Sequence, residues 1–234
     1  MDLSDRQKEL LKAIVELHVK NGESVGSETI EKEINLGVSP ATIRNEMVKL
    51  TEMGFLKQPH TSAGRIPTSM GYRVYIQELM KEKEMPVAAE VQMKQNLWQK
   101  RHTSNLVVKE AVRSLSEKLH MLSLAINEDD EVLFSGAYFE DIDVTRFVLS
   151  LFDENPALRE IIGRALGPDP LHILFGDELG IEYLNPTGFV FCRFEGAGKG
   201  GVIGVIGPAR MNFPVILPYV RYTSNLIDEA IRSY

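Results

Sequence analysis

The stretch Ser39-Pro-Ala-Thr-Ile-Arg-Asn-Glu-Met-Val-Lys-Leu-Thr-Glu-Met-Gly54 opens on a serine followed by a proline. Such a pair starts a helix. The serine hydroxyl can take up an orphan amide, and proline at the first helical position lacks an N–H that would have had no partner there. Ile43, Met47 and Leu50 follow at i, i+4 and i+7 and give one buried stripe, leaving Thr42, Arg44, Asn45, Glu46 and Lys49 outside it. Gly54 ends the helix. Its polar side is rich in hydrogen-bonding groups.

The elements on either side fix the context. Upstream, Ser27 is read as the cap of a short helix from Glu28 to about Asn35, with Ile30 and Ile34 inward and Gly37 as the turn residue. Before it, Ser4-Asp-Arg-Gln7 has the form of a capping box. The apolar stripe of Leu10, Leu11, Ile14, Val15, Leu17 and Val19 predicts a first helix over about Asp5 to Lys20, stopped by Asn21-Gly22. Downstream, Phe55–Gln58 and Arg65–Ile66 read as short strands around Pro59-His-Thr-Ser-Ala-Gly64, a tip rich in turn formers. Pro67-Thr68 opens a fourth helix with Tyr72, Tyr75, Ile76 and Leu79 on one face. Helix, helix-turn-helix, hairpin, helix is the order of a winged helix-turn-helix, assigned to residues 1–82.

Met80 to Ala89 is charged, contains Pro86 and reads as a boundary; residues 83–104 are assigned to a helical linker. Glu90 to about Leu124 is helical in composition, with apolar residues at helical spacing from Leu106. Asp129-Asp130 reads as the turn of a hairpin between Leu122–Ile126 and Val132–Phe134. Val144–Phe152 and Ala157–Leu166 read as helices, and Ile173–Phe175, Phe189–Phe194 and Val202–Ile206 as strands. A last helix spans roughly Val215 to Arg232, with Val215, Tyr219, Tyr222, Leu226 and Ala230 along one side. The mixture indicates an α+β domain over residues 105–234. Tyr138, Phe139, Tyr183 and Phe191 are expected in its core, and Trp98 in the connector is a candidate for protomer packing or for joining the two domains.

Composition excludes several classes. The 234 residues are 44% apolar and 25% charged, enough to bury a core and unlike a disordered chain. No run approaches the ~18 apolar residues of a membrane span, and the acidic N-terminus does not read as a signal peptide. One cysteine, Cys192, cannot pair internally, so a reducing, cytoplasmic setting is expected. Net charge is −7, which taken alone argues against nucleic acid. The distribution reverses that argument. Residues 1–83 hold 12 basic and 12 acidic side chains, and Gly54–Gln77 carries Lys57, His60, Arg65 and Arg73 but no acid. The excess negative charge lies entirely in the rest of the chain.

In a helix-turn-helix the second helix enters the major groove with its N-terminal residues at base edges. Ser39, Pro40, Ala41, Thr42, Arg44, Asn45 and Lys49 are therefore candidate DNA contacts. Arginine can grip guanine and asparagine adenine, each bidentately. Ser27 and Thr29 can donate to phosphate. In the wing, His60, Thr61, Ser62 and Arg65 can reach phosphates or a minor groove. The alternative is a set of ordinary caps, a solvated helix face and a polar loop.

Val25-Gly-Ser27, Ser39–Met47, Pro59-His-Thr-Ser-Ala-Gly-Arg-Ile-Pro-Thr68 and Gly71-Tyr-Arg73 closely resemble the heat-inducible transcription repressor HrcA of bacteria, and Gly204-Val-Ile-Gly-Pro-Ala-Arg-Met211 resembles the end of that family's GAF-like domain. The resemblance implies a repressor of chaperone genes that binds an inverted-repeat CIRCE operator as a homodimer and is kept active by the chaperonin GroEL. It also implies a GAF-like second domain. The family carries a dimerising module inserted there; Leu124–Val132 passes through that place with only a turn.

Other signals are weaker. Gly196-Ala-Gly198-Lys-Gly-Gly201 has dinucleotide-fingerprint spacing but is followed by Val-Ile-Gly-Val-Ile, a strand, so a hairpin turn is the better reading. The five histidines show no metal-ligand spacing, and Asp129-Asp130 and Asp141/Asp143 lack an accompanying nucleophile. No enzymatic activity and no cofactor are expected. The rival functions are a one-component regulator whose second domain senses a small molecule, and a protein-interaction adaptor that uses the winged fold without DNA.

Overall fold

Ser4 starts the first helix through a two-way exchange: its hydroxyl accepts the Gln7 amide (3.3 Å) while the Gln7 carboxamide accepts the Ser4 amide (3.0 Å). The computed structural model describes residues 3–34, 37–127, 129, 131–136, 142–153, 155–163, 169–195 and 200–233. Asn35, Asp130, Tyr138, Phe139, Asp141, Leu166 and residues 196–199, all used in the sequence reading, lie outside them. The chain divides into two units, Met1–Lys81 and Glu82–Tyr234.

In the first unit α1 is Asp5–Asn21, α2 Ser27–Glu33 and α3 Pro40–Glu52. The sequence placed the cap of α2 at Ser27. The structure corrects this: Gly26 is the capping position, and Ser27 is the first helical residue, only 7% exposed. The cause is tertiary. Val25 and Arg65 exchange both backbone hydrogen bonds (2.9 Å each), which holds the chain extended up to Gly26.

α3 begins and ends as its sequence requires. The Ser39 hydroxyl accepts the Thr42 amide (3.3 Å), and Ile43, Met47 and Leu50 are buried. At the far end the Phe55 amide donates to Leu50 O (2.9 Å) and the Gly54 amide to Thr51 O (3.0 Å), with Gly54 at φ 84°. This is a Schellman close, whose left-handed residue favours glycine. The wing strands β1 (Leu56–Lys57) and β2 (Ile66–Pro67) pair antiparallel in the register Leu56↔Pro67 and are shorter than the sequence suggested. Gln58 lies just beyond the ladder, and its side-chain amide bonds to the tip. α4 (Ser69–Val74) is capped by Thr68 and widens into a π-type turn over Tyr75–Leu79. Leu10, Leu11, Ile14, Ile30, Ile43, Leu50 and Leu56 form the core.

In the second unit the expected helical stretch breaks into α5 (Val87–Trp98) and α6 (Ser104–Leu119). α5 packs on α6 and on the last helix, α9 (Phe213–Arg232), so residues 83–104 belong structurally to this unit. Lys94 lies 5.1 Å above the Trp98 ring. A five-stranded antiparallel sheet runs β4-β3-β7-β6-β5, from β3 (Leu122–Ile126), β4 (Val132–Ser135), β5 (Leu171–Phe175), β6 (Thr187–Phe194) and β7 (Gly201–Pro208). β6 and β7 pair antiparallel up to Phe194↔Gly201, and a strand, not a helix, follows the glycine-rich stretch.

Strand alternation then sends Leu122, Leu124, Ile126, Phe189, Phe191 and Ile206 to one side, against Val144 and Val148 of α7 (Ile142–Asp153) and Leu158 and Ile161 of α8 (Asn155–Gly163). The other side packs on α6 and α9. Tyr183, expected in the core, is instead 56% exposed and stacks on Phe147 with ring centroids 5.6 Å apart. It sits in a turn between β5 and β6, where the phenolic end can stay in water. The buried face of α9 is wider than the single stripe read from sequence, since Ile216, Val220, Thr223 and Ile227 are buried while Val215 and Tyr222 are only half-buried. Among the described residues, no helix is long and apolar enough to cross a membrane, and no group of three His, Cys, Asp or Glu could hold a metal.

Candidate nucleic-acid interface

α3 turns Ile43, Met47 and Leu50 into the core, so Arg44, Asn45, Val48 and Lys49 are exposed on its outer side. That side forms one wall of a groove of about 470 Å³. The start of α2, from Gly26 to Thr29, forms a second wall, and the wing from Thr61 to Arg65 forms the third. Of the residues picked from sequence, the groove brings together Ser27, Thr29, Arg44, Thr61, Ser62 and Arg65. Ser39, Pro40, Ala41, Thr42, Asn45, Lys49 and His60 do not line it.

Local bonding separates these residues further. The hydroxyls of Ser39 and Thr42 lie 3.0 Å apart and bond to each other at the helix start. Lys49 donates to Glu46 at 2.8 Å, so the ammonium is engaged within its own helix. Glu46 also accepts from the Gln7 carboxamide of α1 at 3.1 Å. The Lys49 hydrogen bond, helped by that from Gln7, holds the Glu46 carboxyl below the usual glutamate range, against the opposing effect of its burial. Of the two acids of α3, Glu46 is thereby paired locally, while Glu52 is exposed at the end of the helix.

Three positions that sequence reasoning passed over shape the wing. Gln58 donates from its side-chain amide to Thr61 O (2.9 Å) and Ala63 O (3.0 Å), closing the tip from within. A Cβ on Gly64 would meet Val25 O at 2.3 Å, so only glycine permits the close approach of wing and α2. Thr51, in the last turn of α3, accepts the Arg65 Nε–H at 3.0 Å. Glycine at position 64 was a usable signal, because a glycine beside a strand marks close backbone approach. Gln58 and Thr51 gave none, since their partners are set by tertiary packing.

A helix-turn-helix with an exposed polar second helix and a wing tied alongside it defines a winged-helix DNA-binding domain. Residues 2–81 match the family described as "Winged helix-turn-helix transcription repressor, HrcA DNA-binding", and residues 70–217 match "HrcA protein C terminal domain". The chain belongs to the HrcA family.

A heat-inducible transcription repressor HrcA from Symbiobacterium thermophilum is 42% identical over 142 residues, which is 61% of this chain and 40% of that protein. The HrcA of Fusobacterium nucleatum subsp. nucleatum is 25% identical across 100% of this chain and 94% of its own length. That alignment runs over 332 positions, so the relative carries segments this 234-residue chain lacks. A crystal structure of a hypothetical protein at 2.2 Å resolution superposes with a TM-score of 0.70 at 19% identity, over 99% of both chains, and speaks for the fold alone.

Proposed function

We propose that this protein is a transcription repressor of heat-inducible chaperone genes that acts in the cytoplasm. In this reading it binds a CIRCE-type inverted repeat as a homodimer and hides the promoter from polymerase. Residues 1–82 are the DNA-binding domain, and residues 105–234 a GAF-like regulatory and dimerisation domain, reached through 83–104. The GroEL chaperonin is its modulator. The observation that carries the reading is the groove in which Arg44 of α3 and Arg65 of the wing share one surface with the start of α2. Arg44 and Asn45 read bases. Thr29, Ser39, Thr42, Thr61, Ser62 and His60 hold the backbone, as does Lys49 once Glu46 yields it. The helices on both faces of the five-stranded sheet support the GAF-like assignment.

The test is fluorescence anisotropy with an inverted-repeat duplex taken from upstream of chaperone genes. Binding should weaken steeply with salt, because each phosphate neutralised adds close to one to the slope of log K against log [salt]. It should also fail on a duplex with one half-site scrambled, since two-fold symmetry requires both. Salt-independent binding, or equal affinity for both duplexes, sinks it.

A further inference from the structure

Arg65 is the residue that the sequence sends to the phosphates, yet the fold holds it at the base of the wing, not at its tip. Its backbone is bonded both ways to Val25, ahead of α2. Its side chain turns the other way, donating Nε–H to the Thr51 hydroxyl at 3.0 Å. Thr51 in turn donates that hydroxyl proton to Met47 O, one helical turn back on α3, at 2.8 Å. With the proton committed to Met47, the oxygen presents lone pairs to Arg65, so the geometry has one sense: Arg65 donates and Thr51 accepts. Arg65 also reaches Gly64 O, at 3.4 Å. One residue thus ties together the start of α2, the end of α3 and the wing, and it lines the groove between them.

We infer that Thr51 is a positioning residue for DNA binding, acting through Arg65. The reading rests on the proposed DNA-binding function. A guanidinium is a rigid planar fork, so fixing Nε–H fixes the plane and direction of the remaining donors. Without Thr51 the arginine keeps its charge but samples many rotamers, and ordering it on a phosphate then costs the entropy that the hydroxyl had already removed. Thr51 touches no DNA in this assignment. Its contribution appears as the loss of one well-placed phosphate contact.

The experiment measures anisotropy on the full chain with the inverted-repeat duplex over a salt series, for wild type, Thr51→Val, Thr51→Ser, Arg65→Ala and the Thr51→Val/Arg65→Ala pair. Valine matches threonine in shape and removes the hydroxyl; serine keeps it. Thr51→Val should weaken binding about three- to tenfold at low salt, the scale of one ordinary net hydrogen bond. Arg65→Ala, which removes the charge, should also flatten the salt slope by about one per protomer. Thr51→Ser should restore the affinity lost in Thr51→Val, and the double variant should bind no worse than Arg65→Ala alone. Thr51→Val binding as tightly as wild type, or losses that add in full in the double variant, would overturn the assignment. A wild-type chain with no salt-dependent duplex binding would overturn the functional reading, and the assignment with it.

Discussion

Arg44 and Arg65 sit on one groove but are held differently. Arg44 is exposed on α3, where only helix geometry directs it, whereas Arg65 is half-buried and bonded to Thr51. Replacing either with alanine should weaken duplex binding at least about tenfold, the range of a single base or phosphate contact. Affinity within twofold of wild type would remove that residue from the interface. Ser39→Ala should lower the unfolding free energy by about 1 kcal/mol through loss of the cap on the Thr42 amide, read by urea denaturation. Glu46 supplies a pH dependence. Its folded-state pKa lies below the unfolded value, so its contribution is present above the ordinary glutamate range and lost as pH falls through that range and below it. Wild type should therefore be more stable than Glu46→Gln near neutral pH, with the difference closing in acid. A gap that persists at low pH would show that packing, not the charge, is responsible.

The wing is a two-residue ladder, too short to hold its own angle. It is fixed from outside, by the Val25–Arg65 bridge, the Arg65–Thr51 bond and the Gln58 clamp on the tip. Gly64→Ala attacks the first of these, because the new methyl meets Val25 O at 2.3 Å and one backbone must move. Overpacking of this kind costs about 1–3 kcal/mol. The melting temperature should fall and DNA affinity with it. A variant that melts normally and binds as well as wild type would mean the wing can tilt freely. The element boundaries show how far local signals reach. Ser4, Ser39 and Gly54 were legible because a cap or a left-handed close needs only neighbours in sequence. Ser27 was misread as a cap because Arg65, 38 positions later, dictates where α2 begins.

For the molecule as a whole, the separation at Lys81 predicts a proteolytic pattern. Residues 81–84 are exposed and outside any helix, while the Lys83 amide is tied to Pro214 O (2.8 Å) and Glu82 to Arg221 (2.7 Å) in the second unit. Limited trypsin digestion should therefore cut after Lys81 and leave a protected N-terminal fragment, identified by mass. Loss of residues 1–81 as fast as any other region would mean that the first unit does not stand by itself. Charge follows the same division: the first 83 residues balance 12 basic and 12 acidic side chains, so the second unit carries the molecule's negative excess. That arrangement makes the second unit the less favourable of the two for a polyanion.

By itself the sequence determined the winged helix-turn-helix, the outward side of α3, the acid-free wing and the order of strands and helices beyond, because all of these follow from caps, turn residues and hydrophobic period. Tertiary structure alone decided that α5 and α6 are separate helices, that α9 buries a face wider than one stripe, and that Arg65 is held between Val25 and Thr51. Those outcomes depend on partners distant in sequence, and no local pattern encodes which distant group a side chain will meet.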